Sequence, residues 1–127
     1  MSPQQAARPR RWATEDQVLL EMERLADESM QRAADYTHQA VQAAQAEATH
    51  KALRARRQLL ARANGTKSMA EAEVTAEADE TVALAYLERL TTAATAEACR
   101  EALRSIRTNI DAMRTAVASQ RVAGQGL

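Results

Sequence analysis

The sequence predicts an all-α fold: a long helical hairpin with an extended C-terminal coiled-coil helix, assembled as a homo-oligomer. Three observations carry this. Of the 127 residues, 30 are alanine, the strongest helix former, and only 3 are glycine and 2 proline. There is no Phe, and there are 2 Tyr, 1 Trp and 2 Ile, so a single copy has a thin core that further copies would complete. Finally, Cys99, Leu103, Ile106, Ile110, Met113 and Val117 repeat in steps of four and three, the apolar seam of a coiled coil used for oligomerisation.

The elements follow in order. Residues 1–13 hold both prolines, Pro3 and Pro9, together with Arg8, Arg10 and Arg11, and read as a flexible basic N-terminal arm. Thr14 fits a helix N-cap, with Glu15 and Asp16 in the first turn and Gln17 completing a capping box. Nothing then breaks a helix until about Ala63, where Asn64–Thr66 supplies the stop and Gly65 suits the left-handed position beyond the helix. A helix of about 48 residues is roughly 70 Å long and needs a second helix along its length. Ser68 opens the return stretch with another capping box, Ser68-Met69-Ala70-Glu71, and helical pattern continues to about Gln120. A break between Thr75 and Thr81 is allowed, since Thr75 or Asp79 can cap a fresh helix. Val82, Tyr86, Leu90 and Ala93 follow one spacing and Cys99 to Val117 another, so the seam is expected to be offset between them. Residues 14–122 form one helical domain on this reading, and 123–127, with Gly124 and Gly126, a frayed C-terminus.

Beside the seam, Arg100, Arg107, Arg114 and Arg121 recur every seventh residue and share one stripe at a flanking heptad position. Their expected role is divided. They first meet acids of a neighbouring helix, with Glu88, Glu97, Glu101 and Asp111 nearby in sequence, and they supplement an anion-binding surface second.

The formal charge is zero but strongly segregated. Residues 51–67 hold 6 basic and no acidic side chains, whereas residues 68–98 hold 1 basic and 7 acidic. Such separation bears on partners even when the sum vanishes. The lone Cys99 offers no disulfide framework, which sets a reducing cytoplasm as the expectation. The N-terminal residues lack an apolar signal region, and no stretch approaches the length of a membrane span. Chemistry is sparse. No glycine pattern cradles a nucleotide phosphate, and His38 and His50 stand twelve residues apart without metal-ligand spacing. Asp35 and His38 read as a surface pair and Cys99 as a seam residue. No enzyme activity, cofactor or metal is expected.

What stands out is the run holding Lys51, Arg54, Arg56, Arg57, Arg62 and Lys67. Cations near a helix C-terminus complement its dipole, and the acids at 71–80 can neutralise them across the hairpin. Six cations with no interspersed acid nevertheless exceed what the dipole needs, and a phosphate-binding patch requires this kind of run. With so few aromatic residues, binding would be electrostatic and indifferent to base sequence. Lys51, Arg54, Arg57 and Arg62 span one broad helix face, while Arg56 points well away from Arg54.

Over about residues 46–124 the chain resembles the UvsY-type recombination mediators of T-even phages. The elements that carry the resemblance are Leu53-Arg54-Ala55-Arg56 in the basic helix, then Gly65 and Ser68-Met69 at the turn. They continue with the acidic Glu77–Val82 stretch and Cys99, Ala102-Leu103, Ile106, Ile110 and Met113-Arg114 in the last helix. The resemblance implies a small, oligomeric, non-enzymatic helical protein that binds single-stranded DNA, with Arg54 and Arg56 central to the contact. It further implies a recombinase and a single-strand-binding protein as partners, and the cytoplasm of a bacterial host as location. Two other classes fit the bare sequence: a coiled-coil scaffold or virion-assembly protein without DNA binding, and a small nucleoid-type binder of duplex DNA.

Overall fold

A computed structural model describes residues 14–125, and the basic arm at 1–13 and the chain end at 126–127 lie outside the described residues. The described residues are almost wholly helical, with no strand: α1 (Glu15–Ala63), α2 (Met69–Ala78) and α3 (Glu80–Gln125). Helix α3 thus continues through residues expected to fray.

Each boundary has a local cause. The Gln17 amide donates to Thr14 Oγ1 at 3.2 Å, so Thr14 caps α1 as its sequence indicates. At the other end of α1, Gly65 adopts φ +101°, a left-handed conformation that side-chain-bearing residues rarely take. This lets the Thr66 amide donate to the Ala61 carbonyl at 3.1 Å and the Gly65 amide to Arg62 at 3.2 Å, closing two of the open carbonyls of α1. Ser68 caps α2 by accepting from the Glu71 amide at 3.2 Å, while the Glu71 carboxylate reaches back to the Lys67 amide. Asp79, in extended backbone conformation, ends α2 and caps α3, its Oδ1 accepting from the Val82 amide at 3.1 Å. Of the two residues able to restart the helix, Asp79 is the one that does so.

The chain divides into two compact units. The first combines the start of α1, through Gln31, with the end of α3, from Arg104. Its core is Leu25 packed with Ile106 and Ile110, joined by Met113, and it also buries Val18 and Val117. Burying side chains of this size contributes about 1.5–3 kcal/mol each. Arg121 of α3 pairs with Glu15 of α1, tying together the two chain segments of this unit.

The second unit runs from Arg32 to Leu103. On its part of α3 a buried or half-buried series runs through Val82, Ala85, Arg89, Thr92, Ala96, Cys99 and Leu103 in unbroken steps of three and four, with half-buried Ala102 beside it. That series continues along the same helix through Ile106, Ile110, Met113 and Val117, so the expected offset of the seam is absent. Tyr86, Leu90 and Ala93 are exposed instead. On α1 the matching series is Tyr36, Ala40, Ala43, Glu47, His50, Arg54, Arg57 and Ala61. The seam residues Leu103, Ile106, Ile110 and Val117 are all buried within one chain, and Leu25 of α1 covers Ile106 and Ile110. A second copy meeting that part of the seam has to displace Leu25.

Candidate nucleic-acid interface

The basic run occupies the last four turns of α1 and the turn after it, inside the second unit. Its cations fall into two groups according to the side of α1 they leave. Arg54 and Arg57 belong to the half-buried face and meet the acids that follow the turn: Arg54 Nη2 lies 3.4 Å from Glu77, and Arg57 Nε 3.4 Å from Asp79 Oδ2. Asp79 therefore uses one carboxylate oxygen for the α3 cap and the other for Arg57. Lys51 pairs with Glu47 at 2.9 Å, one turn earlier on its own helix. Neutralisation across the hairpin is thus real for Arg54 and Arg57, and Lys51 is neutralised within α1, although at surface sites each such pair contributes at most about 1 kcal/mol.

Arg56, Arg62 and Lys67 are exposed and make no ion pair among the described residues. The reason lies in the helix period. Arg56 is about 200° around the helix from Arg54, so when one turns inward the other turns out. Between Arg56 on one flank and Lys51 with Arg62 on the other lies an outward face of Ala48, Ala52, Ala55 and Leu59, all exposed. That face carries no acid. A polyanion laid along it would meet Arg56 on one side, Lys51 and Arg62 on the other, and apolar side chains beneath.

Behind the cations is a polar cluster that the sequence did not single out. Arg89 of α3 donates to Glu47 Oε1 at 3.3 Å and lies 3.2 Å from His50 Nδ1. His50 is buried, and its ring packs against Tyr86 with centroids 5.1 Å apart and planes tilted by 46°. Because Arg89 is always a donor, neutral His50 accepts at Nδ1 and keeps its proton on Nε2. Burial lowers the His50 pKa below its ordinary 6.5, and the positive charges of Arg89 and Arg54 lower it further, with Glu77 opposing. Glu47 is held below its ordinary 4.5 by the hydrogen bond and charge of Lys51, then by Arg89. The signal that leads to this cluster is the heptad itself. Stepping back from Cys99 by three, four and three reaches Arg89, and a charge at a seam position requires an acid or acceptor opposite.

Along the arginine stripe, Arg100 pairs with Glu97 at 3.8 Å and Arg114 with Asp111 at 3.7 Å, each within α3, while Arg121 crosses to Glu15. Arg107 is exposed with no ion pair among the described residues. Of the expected oligomerisation residues, Cys99 and Met113 are half-buried and Leu103, Ile106, Ile110 and Val117 buried. Among the described residues no group of His, Cys, Asp and Glu is placed to hold a metal, and no helix is long and apolar enough to cross a membrane. No protein-family model matches the chain, and neither a curated protein nor a solved structure is similar to it.

Proposed function

We propose that this chain is a non-enzymatic recombination mediator. It binds single-stranded DNA without base preference through the basic end of α1 and helps to load a phage recombinase onto strands coated by single-strand-binding protein. The observation that carries this reading is the pairing pattern of the run. Arg56, Arg62 and Lys67 stay exposed and without ion pairs among the described residues, around an acid-free outward face. Paired cations such as Arg54 and Arg57 reinforce the local potential without leaving that face acidic. The likeness of Leu53-Arg54-Ala55-Arg56 and the following segments to the phage mediators points the same way, with the bacterial cytoplasm as the place of action. Association of several copies would set several basic faces on one strand and raise its affinity through multivalency.

A second reading has its own support. The Arg54–Glu77 and Arg57–Asp79 pairs are what a coiled-coil scaffold or virion-assembly protein needs, with the charges serving the fold alone. Gel-shift titration with single-stranded and duplex oligonucleotides separates the two. The mediator binds the single strand with clear preference, and Arg54→Ala with Arg56→Ala weakens it strongly while helix content is kept. The scaffold binds neither strand at moderate salt.

A further inference from the structure

We infer that a cavity in the second unit, at the place where α1, α2 and α3 meet, takes one nucleotide of a single strand, its base stacked on Tyr86 and its phosphate held by Arg54. The inference rests on the single-strand reading above and deepens it by adding a base-contacting residue to a surface otherwise made of cations. The cavity has a volume of about 420 Å³ and is lined by His50, Arg54, Glu77, Val82, Ala83 and Tyr86. Its size lies within the roughly 300–1,000 Å³ common for small-ligand sites.

Three features define the occupant. Tyr86 is 48% exposed, with one neighbour, His50, already packed at a tilt against its ring. An aromatic ring held on one side and open on the other is a stacking platform, and every base has a face to offer it. Arg54 gives Nη2 to Glu77, but its Nε is buried and finds no hydrogen-bond acceptor among the described residues. The side chain as a whole is reachable, being 40% exposed and on the cavity wall, and a phosphate oxygen can accept from its guanidinium with charge assistance. Glu77, on the same wall, pairs with Arg54 and keeps its guanidinium beside the cavity. Apolar Val82 and Ala83 complete the lining, and an inorganic anion would gain nothing from them or from the ring. The combination suits a unit with a flat apolar face and an attached phosphate, which is a nucleotide. Arg54, whose partner position on the helix turns it away from Arg56, thereby has a role on the strand different from that of Arg56.

The test uses the full chain and a single-stranded thymidine oligonucleotide carrying one photoreactive 5-iodouracil, beside an abasic strand of equal length. Irradiation of the complex is expected to join the iodouracil to Tyr86, located by peptide mass spectrometry. The abasic strand and Tyr86→Leu should each weaken binding by roughly tenfold, the scale of one base–aromatic stack, with the salt dependence unchanged. Tyr86→Phe and Tyr86→Trp, which keep a ring, should bind as wild type, so that loss in Tyr86→Leu is not confused with loss of fold. Salt-dependent binding with equal affinity for intact and abasic strands, or crosslinks confined to other residues, overturns the subsite and leaves the single-strand reading standing. Absence of binding by the wild-type chain overturns both.

Discussion

The two units use the same helical repeat for opposite ends. In the first, the seam positions of α3 are Ile106, Ile110, Met113 and Val117, and Leu25 fills the space against them. In the second, the same steps of three and four bring Arg89 and Thr92 into the seam, facing a helix that presents Glu47, His50, Arg54 and Arg57. One unit is held by apolar burial, which is indifferent to charge state. The other also buries Ala61, Ala72, Ala76, Val82, Ala96 and Leu103, but adds a hydrogen-bonded ionic cluster around one buried imidazole, whose strength depends on charge state. A polar interior contributes little net stability compared with an apolar one of equal volume. On this account the first unit anchors the fold and the second carries the chemistry.

The largest effect that separates them comes from the apolar core. Ile106→Asp with Ile110→Asp places two carboxylates where the wild-type residues are 8% and 9% exposed. The cost is several kcal/mol, and even Ile110→Ala should cost about 2–5 kcal/mol. Hydrogen exchange should show protection lost over 15–31 and 104–125 before it is lost in the cluster of the second unit. Simultaneous loss in both would mean that the two units fold as one cooperative block and that the contrast between them is only chemical.

Acidification acts on the other side of the comparison and more gently. His50 titrates below its ordinary 6.5 in the folded chain, so below that pH the unfolded chain takes up the proton first. Stability is therefore full above about 6.5 and declines as pH falls towards the lowered folded value. A second decline, from Glu47, belongs below 4.5, because its carboxylate is favoured in the fold. The groups that face His50 are Arg89, Arg54, Glu77 and Tyr86, and of the charged ones only Glu77 favours the imidazolium. Thermal melts between pH 7.5 and 5 should show the first decline, and His50→Gln should flatten it. The first unit has no histidine among its described residues, so its exchange protection should not follow this titration. An identical pH profile in the His50→Gln chain would remove the imidazole from the explanation.

The smallest expected effect is at the arginine stripe. Arg107 is exposed without an ion pair among the described residues, so Arg107→Gln should change the melting free energy by less than about 0.5 kcal/mol. A larger loss would show that this side of the first unit meets a partner helix, as the heptad position suggested.

Much of this fold is legible in the sequence because its determinants are local. Thr14, Gly65 and Ser68 mark their boundaries by side-chain chemistry or backbone freedom alone, and Asp79 was one of two residues suited to restart the helix. The apolar seam from Cys99 to Val117 is equally plain, but a repeat gives a period and not the identity of the helix that covers it. Leu25 follows Val18 and Met22 in steps of four and three, but that spacing does not say that it will pack on Ile106 and Ile110. Upstream of Cys99 the register is hidden for a different reason. Polar Arg89 and Thr92 hold the half-buried positions, while apolar Tyr86 and Leu90 lie exposed, so a hydrophobic pattern follows the wrong face. The same limit applies to the candidate site. The basic run is visible in sequence, but which cations are neutralised depends on a turn at Gly65 and a break at Asp79 that together return Glu77 and Asp79 to Arg54 and Arg57.

The central claim is that single-stranded DNA is held by the second unit through phosphates, and the salt dependence of binding tests it most directly. Fluorescence anisotropy of a labelled single strand should be measured across a salt series for three chains: wild type, Arg56→Ala/Arg62→Ala/Lys67→Ala, and Arg107→Ala/Arg114→Ala. Each phosphate neutralised on a single strand contributes a slope of about −0.7 in log affinity against log salt. The triple substitution should therefore lower affinity and flatten the slope by about 2 per copy of the chain in contact, while the double substitution in the first unit leaves both nearly unchanged. Salt-insensitive or absent binding by the wild-type chain, or a slope that responds to Arg107 and Arg114 rather than to Arg56, Arg62 and Lys67, would contradict the account.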